Sequence, residues 1–294
     1  MQLPINEALS GIFGSVSLAS WIFLIVPQLW ENFRNQSAEG LSTLFLIIWL
    51  LGDICNLIGA LWARLLPTVV ALGIYFCLVD FIMLAQLIYY NHYRSRKRHR
   101  LPQTRRAEHR PGPSATDPLL PDTEASHTTK HPAHQRRDSL SQAFSDNSSP
   151  NEAIRNVVSV FLVLFVGTAG WFVAWKTGAW GPQGDTPDTM APFGALVLGY
   201  ASSFFYLTAR LPQIYTNLKR QSCSGLSILF FILSTVGNLT YGASILSFSL
   251  EHNYLLKNTP WLLGSIGTLV QDFVIFGQFV YYGRAQGGGP RHGA

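Results

Sequence analysis

Three carboxylates stand where carboxylates are expensive. Asp53 lies in Gly52-Asp53-Ile54-Cys55-Asn56, Asp80 in Leu78-Val79-Asp80-Phe81 and Asp272 in Gln271-Asp272-Phe273, each inside a long apolar stretch. An ionisable side chain at membrane depth costs about 3 kcal/mol or more, and by default it marks a ligand or proton site. Burial disfavours the charged form of a carboxyl and a bound cation favours it, so an Asp held between the two can exchange a proton for a cationic ligand. Arg210 is the only basic residue well inside the apolar spans, Arg155 standing at the edge of one. A cationic substrate, protons or both would balance the remaining charge. No nucleophile triad, metal cluster or phosphate loop accompanies the three acids, so neither an enzyme nor a metal or other cofactor is expected.

The elements that must position these acids are membrane helices. Of 294 residues, 48% are hydrophobic and only 13% charged, against about 25% charged in a soluble domain. Seven stretches are long enough to cross a bilayer, at 9–31, 42–63, 67–91, 154–175, 192–216, 226–249 and 259–282. About 20 apolar residues suffice for one crossing. No cleaved leader is expected, because no basic segment or small-residue cleavage site precedes Pro27.

The chain also repeats itself. At an offset of 185, residues 27–52 align with 212–237 without a gap and twelve positions are identical, including Pro27/Pro212, Gln28/Gln213, Asn32/Asn217 and Gly52/Gly237. Gln36-Ser37 matches Gln221-Ser222, and Gly40-Leu41-Ser42 matches Gly225-Leu226-Ser227. At an offset of 192, Asp80 pairs with Asp272, Gln86 with Gln278 and Tyr89-Tyr90 with Tyr281-Tyr282. A proline inside an apolar helix removes a hydrogen bond and clashes with the preceding turn. Two prolines at matched places predict two hinges, with Gln28 and Gln213 bridging the freed carbonyls.

Pro27-Gln28 and Pro212-Gln213, each followed by Gln-Ser and Gly-Leu-Ser, resemble the PQ-loop family of membrane transporters, above all its lysosomal and vacuolar cationic amino-acid exporters. The resemblance covers both membrane halves and leaves out the segment between them. It implies an all-α integral membrane fold of seven transmembrane helices, in which two parallel three-helix repeats are joined by a linker helix, a 3+1+3 arrangement shared with two-repeat sugar uniporters. Three crossings reverse the side of the membrane and a fourth restores it, so the repeats are parallel. The expected units are a first repeat at 1–93, a disordered basic linker at 94–152, a linker helix at 153–180, a second repeat at 181–283 and a tail at 284–294.

The resemblance implies export of arginine, lysine and histidine to the cytosol by alternating access, with protons as a candidate coupling ion. Asp53, Asn56, Asp80, Asn238, Tyr241 and Asp272 are the expected substrate residues, Asp272 and Asp80 the proton-coupling ones, and Pro27, Gln28, Pro212 and Gln213 the hinge. Asn238 and Tyr241 occupy the places of Asp53 and Asn56 in the second repeat, an asymmetry that suits a dipolar ligand. The alternatives are a proton-coupled exporter of cystine or another amino acid, a seven-helix receptor or sorting receptor, and a nutrient-sensing scaffold.

Charge sets the orientation. Arg34, Lys219, Arg220, Arg284, Arg291 and the basic linker share one side, opposite Arg64, Lys176 and Lys257. The positive-inside rule makes the C-terminus cytosolic and the N-terminus luminal or extracellular, and the resemblance implies a vacuolar or lysosomal membrane. Net charge of +5 thus reflects the flanks and needs no nucleic-acid partner. Arg94–Arg100 suits anionic lipid headgroups, and Asp117-Pro118-Leu119-Leu120 resembles a sorting signal, so cytosolic sorting or signalling partners are expected there. Trp62, Trp180, Trp261 and the two Tyr-Tyr pairs read as interfacial anchors.

Overall fold

The computed structural model describes residues 3–35, 43–100, 150–179, 191–223 and 227–287. The repeat turn at 36–42, the sorting motif at 117–120 and Trp180 lie outside the described residues, and of Arg94–Arg100 only the helical backbone is described. The described residues form seven helices: α1 (Ile5–Asn35), α2 (Thr43–Trp62), α3 (Pro67–Arg100), α4 (Pro150–Lys176), α5 (Phe193–Arg220), α6 (Ile228–Phe248) and α7 (His252–Gly287). Pro67 and Pro150 open α3 and α4, where a missing N–H is harmless. Ser227 caps α6 by accepting a hydrogen bond from the Phe230 N–H at 3.3 Å. Gln221 ends α5 in the left-handed region at φ 48°.

Five helices are long and apolar enough to cross a membrane, and Leu46–Trp62 is a shorter apolar helix. The remaining one, α5, is diluted by Gly199, Ser202, Ser203, Thr208 and Arg210. Most of these face other helices, so the lost hydropathy reports an interior surface. Helix α3 continues to Arg100, past residue 94 where the linker was expected to begin.

Packing follows the repeat. Within each half the third helix sits between the first and the second, in the orders α1–α3–α2 and α5–α7–α6. The halves then meet twice, α1 against α6 and α2 against α5, which closes a six-helix ring with pseudo-twofold symmetry. Helix α4 leans on α1 from outside. Only 11% of its apolar span is buried, against 50% for α1 and α6. Gly167 allows the approach, since a Cβ there would fall 2.5 Å from the Val16 Cα.

Small residues make the two seams between halves. A Cβ on Gly52 would lie 3.1 Å from Phe205, and one on its repeat mate Gly237 would lie 2.8 Å from the Trp21 indole nitrogen. Without a hydrophobic drive between helices in lipid, such close approach and buried hydroxyl bonds hold the bundle. Along α1 and α6, Ser17 donates to the Gly237 carbonyl at 2.8 Å and Ser20 to the Leu233 carbonyl at 2.7 Å.

Both prolines lie inside continuous helices. Lacking an N–H, Pro27 and Pro212 leave the carbonyls of Phe23 and Thr208 without their usual helical donor, but neither helix stops there.

Candidate functional site

The ring encloses a cavity with about 1130 Å³ of empty space, its mouth included, lined by side chains from all six ring helices. Helix α4 contributes none of the lining. Five of the six expected substrate residues, Asp53, Asn56, Asp80, Asn238 and Tyr241, come together on this wall.

The acids contributed by the first repeat form a pair. Asp53 and Asp80 are 3% and 4% exposed and line the same cavity, close enough that their charges act on each other. Like charges sharing a buried site disfavour one another, which a single proton relieves. Asp53 also accepts the phenolic O–H of Tyr206 at 2.6 Å. Because Tyr206 is on α5, this bond crosses from one repeat to the other. Asn56, one turn beyond Asp53, accepts the Trp261 indole N–H at 2.8 Å.

The second repeat departs from the first. Asn238 stands where Asp53 would, donating to the Ser234 carbonyl at 3.0 Å. Asp272 is fully buried and lies outside the cavity lining. Ser234 donates to its Oδ2 at 2.8 Å and Arg210 Nε lies 3.5 Å from its Oδ1. Arg210 itself lines the cavity. Its Nη2 donates to Ser234 at 2.8 Å, and its guanidinium stacks 5.1 Å from the Phe230 ring. The repeat mates Asp80 and Asp272 therefore have opposite surroundings, a second acid in one case and an arginine in the other.

The motif glutamines do not turn to the freed carbonyls; each feeds an amide chain instead. Gln28 donates to Asn32 at 2.9 Å, Asn32 to Gln86 at 3.2 Å, and Gln86 back to the Leu29 carbonyl at 3.2 Å. The second copy runs from Gln213 to Asn217 at 2.7 Å, to Gln278 at 2.8 Å, and back to Ile214 at 3.1 Å. A carboxamide offers both donor and acceptor, so it can pass a hydrogen bond along the chain. Each clasp ties the first helix of its repeat to the third just beyond the proline.

Trp261 also differs from expectation. It is 3% exposed and part of the cavity wall, whereas Trp62 is 54% exposed and suits an interfacial place. In both Tyr-Tyr pairs the first ring faces out and the second is buried. Tyr206 was missed from sequence because its repeat mate is Trp21, which carries no hydroxyl.

The PQ loop repeat model matches this chain twice, over residues 9–69 and 194–254. The chain is 36% identical to the vacuolar lysine transporter of Saccharomyces cerevisiae, over 97% of both proteins. It belongs to the PQ-loop repeat family. The two matches of this PQ-loop protein start on α1 and α5 and carry Pro27-Gln28 and Pro212-Gln213. It is also 36% identical to the vacuolar histidine transporter of that yeast, over 94% of this chain and 93% of the other. With the lysosomal amino acid transporter 1 homolog of Mus musculus it shares 32% identity over 94% and 83%. These relatives are named for transport and not for catalysis.

Proposed function

We propose that this PQ-loop protein is a carrier that moves cationic amino acids (lysine, arginine and histidine) out of a vacuole or lysosome by alternating access. The Asp53–Asp80 pair on the wall of a cavity shared by both repeats carries the reading. Full-length likeness to vacuolar transporters of lysine and histidine supports it. A buried acid pair favours a cation over a neutral or anionic side chain, since an unpaired buried charge costs far more than a lost methylene contact.

A proton held by the pair gives a coupling step. A substrate cation entering between Asp53 and Asp80 displaces that proton, so protons and substrate compete for this pair. Asp272 acts indirectly, through the cation it holds at Arg210. Asn56, Asn238 and Tyr241 supply polar contacts around the ligand.

For alternating access the two three-helix bundles rock about the seams. Bending occurs at Pro27 and Pro212, where each first helix lacks a hydrogen bond. The N-terminus faces the lumen and the C-terminus the cytosol, by the asymmetry of the basic residues. Uptake of labelled arginine into proteoliposomes holding the purified protein tests the function. Saturable flux supports a carrier; binding without flux makes it a receptor.

A further inference from the structure

Arg210 has no counterpart in the first repeat, where the matching residue is Ile25. It nonetheless lines the cavity. Its pairing with Asp272 is loose, at 3.5 Å, where a charge-assisted bond of this kind measures about 2.7–2.9 Å. Among the described residues nothing donates a hydrogen bond to Asp272 Oδ1. A guanidinium has five N–H donors in a planar fork, and the contacts to Ser234 and Asp272 engage only its Nη2 and Nε. Donors therefore remain for a second oxyanion. Phe230 and Phe231 hold the plane from the side, at 5.1 and 5.4 Å.

Arg210 follows Tyr206 by four residues on α5, which places it on the same face about 6 Å further along the axis. Tyr206 holds Asp53. The cavity thus carries acids at one level, from the first repeat, and a guanidinium about one helical turn away, from the second. Resting on the cationic amino-acid reading, we infer that Arg210 receives the α-carboxylate of the substrate while Asp53 and Asp80 hold its positive end. Arg210 is then the residue that makes the site choose amino acids over simple amines. An amine without a carboxylate meets the acids equally well but leaves the guanidinium unserved.

The test compares arginine with agmatine, its decarboxylated analogue, by equilibrium binding to the full-length protein in lipid nanodiscs. Wild type binds arginine at least about tenfold more tightly. The double variant Arg210→Gln with Asp272→Asn removes both charges, so neither is left buried alone. In it the two ligands bind within about threefold of each other, chiefly through lost arginine affinity. Arg210→Lys keeps the charge and loses the fork, and lowers the same ratio several-fold. A wild-type ratio near or below one overturns the inference, as does a tenfold ratio that survives in both variants. Failure of wild type to bind either ligand instead overturns the cationic reading beneath it.

Discussion

Tyr206 donates its phenolic proton to Asp53 across 2.6 Å, and this bond joins α5 of the second repeat to α2 of the first. It orients the carboxylate and helps close the α2–α5 seam, where Gly52 lets Phe205 come near. Tyr206→Phe keeps the ring and removes the donor. A hydrogen bond to a charged group contributes about 1.5–3 kcal/mol, so arginine affinity should fall by about ten- to a hundredfold. Equilibrium binding in nanodiscs measures it, and an unchanged affinity would show that the bond serves only the seam.

The second seam predicts a stability effect. Gly237→Ala forces a methyl to within 2.8 Å of Trp21, whereas the nearest atom to a Cβ on Gly242 is 3.6 Å away. Overpacking a tight interface costs about 1–3 kcal/mol. Thermal unfolding in detergent should show Gly237→Ala clearly less stable than wild type and Gly242→Ala close to it.

The prolines and their clasps should separate binding from movement. Pro212→Leu supplies the missing helix donor without removing a ligand group. Arginine binding should stay within about tenfold, or 1.4 kcal/mol, while turnover falls much further. Gln278→Leu leaves the buried Asn217 amide without its acceptor, at about 1–3 kcal/mol. It should lower thermal stability, and it should slow turnover less than the proline change. Normal turnover in a folded Pro212→Leu protein would reduce the proline to a packing feature.

Proton competition follows from the acid pair. If a proton must leave Asp53 and Asp80 before the cation enters, apparent arginine affinity weakens as pH falls, by up to about tenfold per unit for one proton. Asp80→Asn removes the shared carboxyl and should flatten this slope. A slope that persists unchanged in Asp80→Asn assigns the proton elsewhere.

Much of this was legible in the sequence. The offset of 185 announced the duplicated halves, and Asp53 and Asp80 stood out as carboxylates within apolar runs. What stayed hidden was the divergence of the two copies in three dimensions. Asp80 and Asp272 look equivalent until Arg210, in the place of Ile25, reaches one and not the other. Gln86 and Gln278 were visibly paired by the repeat, yet their partners Asn32 and Asn217 are 54 and 61 positions away, and only helix packing brings them together. Trp261 read as an anchor because its burial against Asn56 depends on the ring being closed.

The central claim is that the Asp53–Asp80 pair selects a cationic amino acid. Competition against labelled arginine uptake in proteoliposomes tests it most directly, with lysine, histidine, leucine and glutamate as competitors for wild type and for Asp53→Asn. Lysine should displace arginine effectively and leucine and glutamate only weakly, and the neutralised pair should lose most of that preference. Equal competition by leucine in wild type would contradict the account.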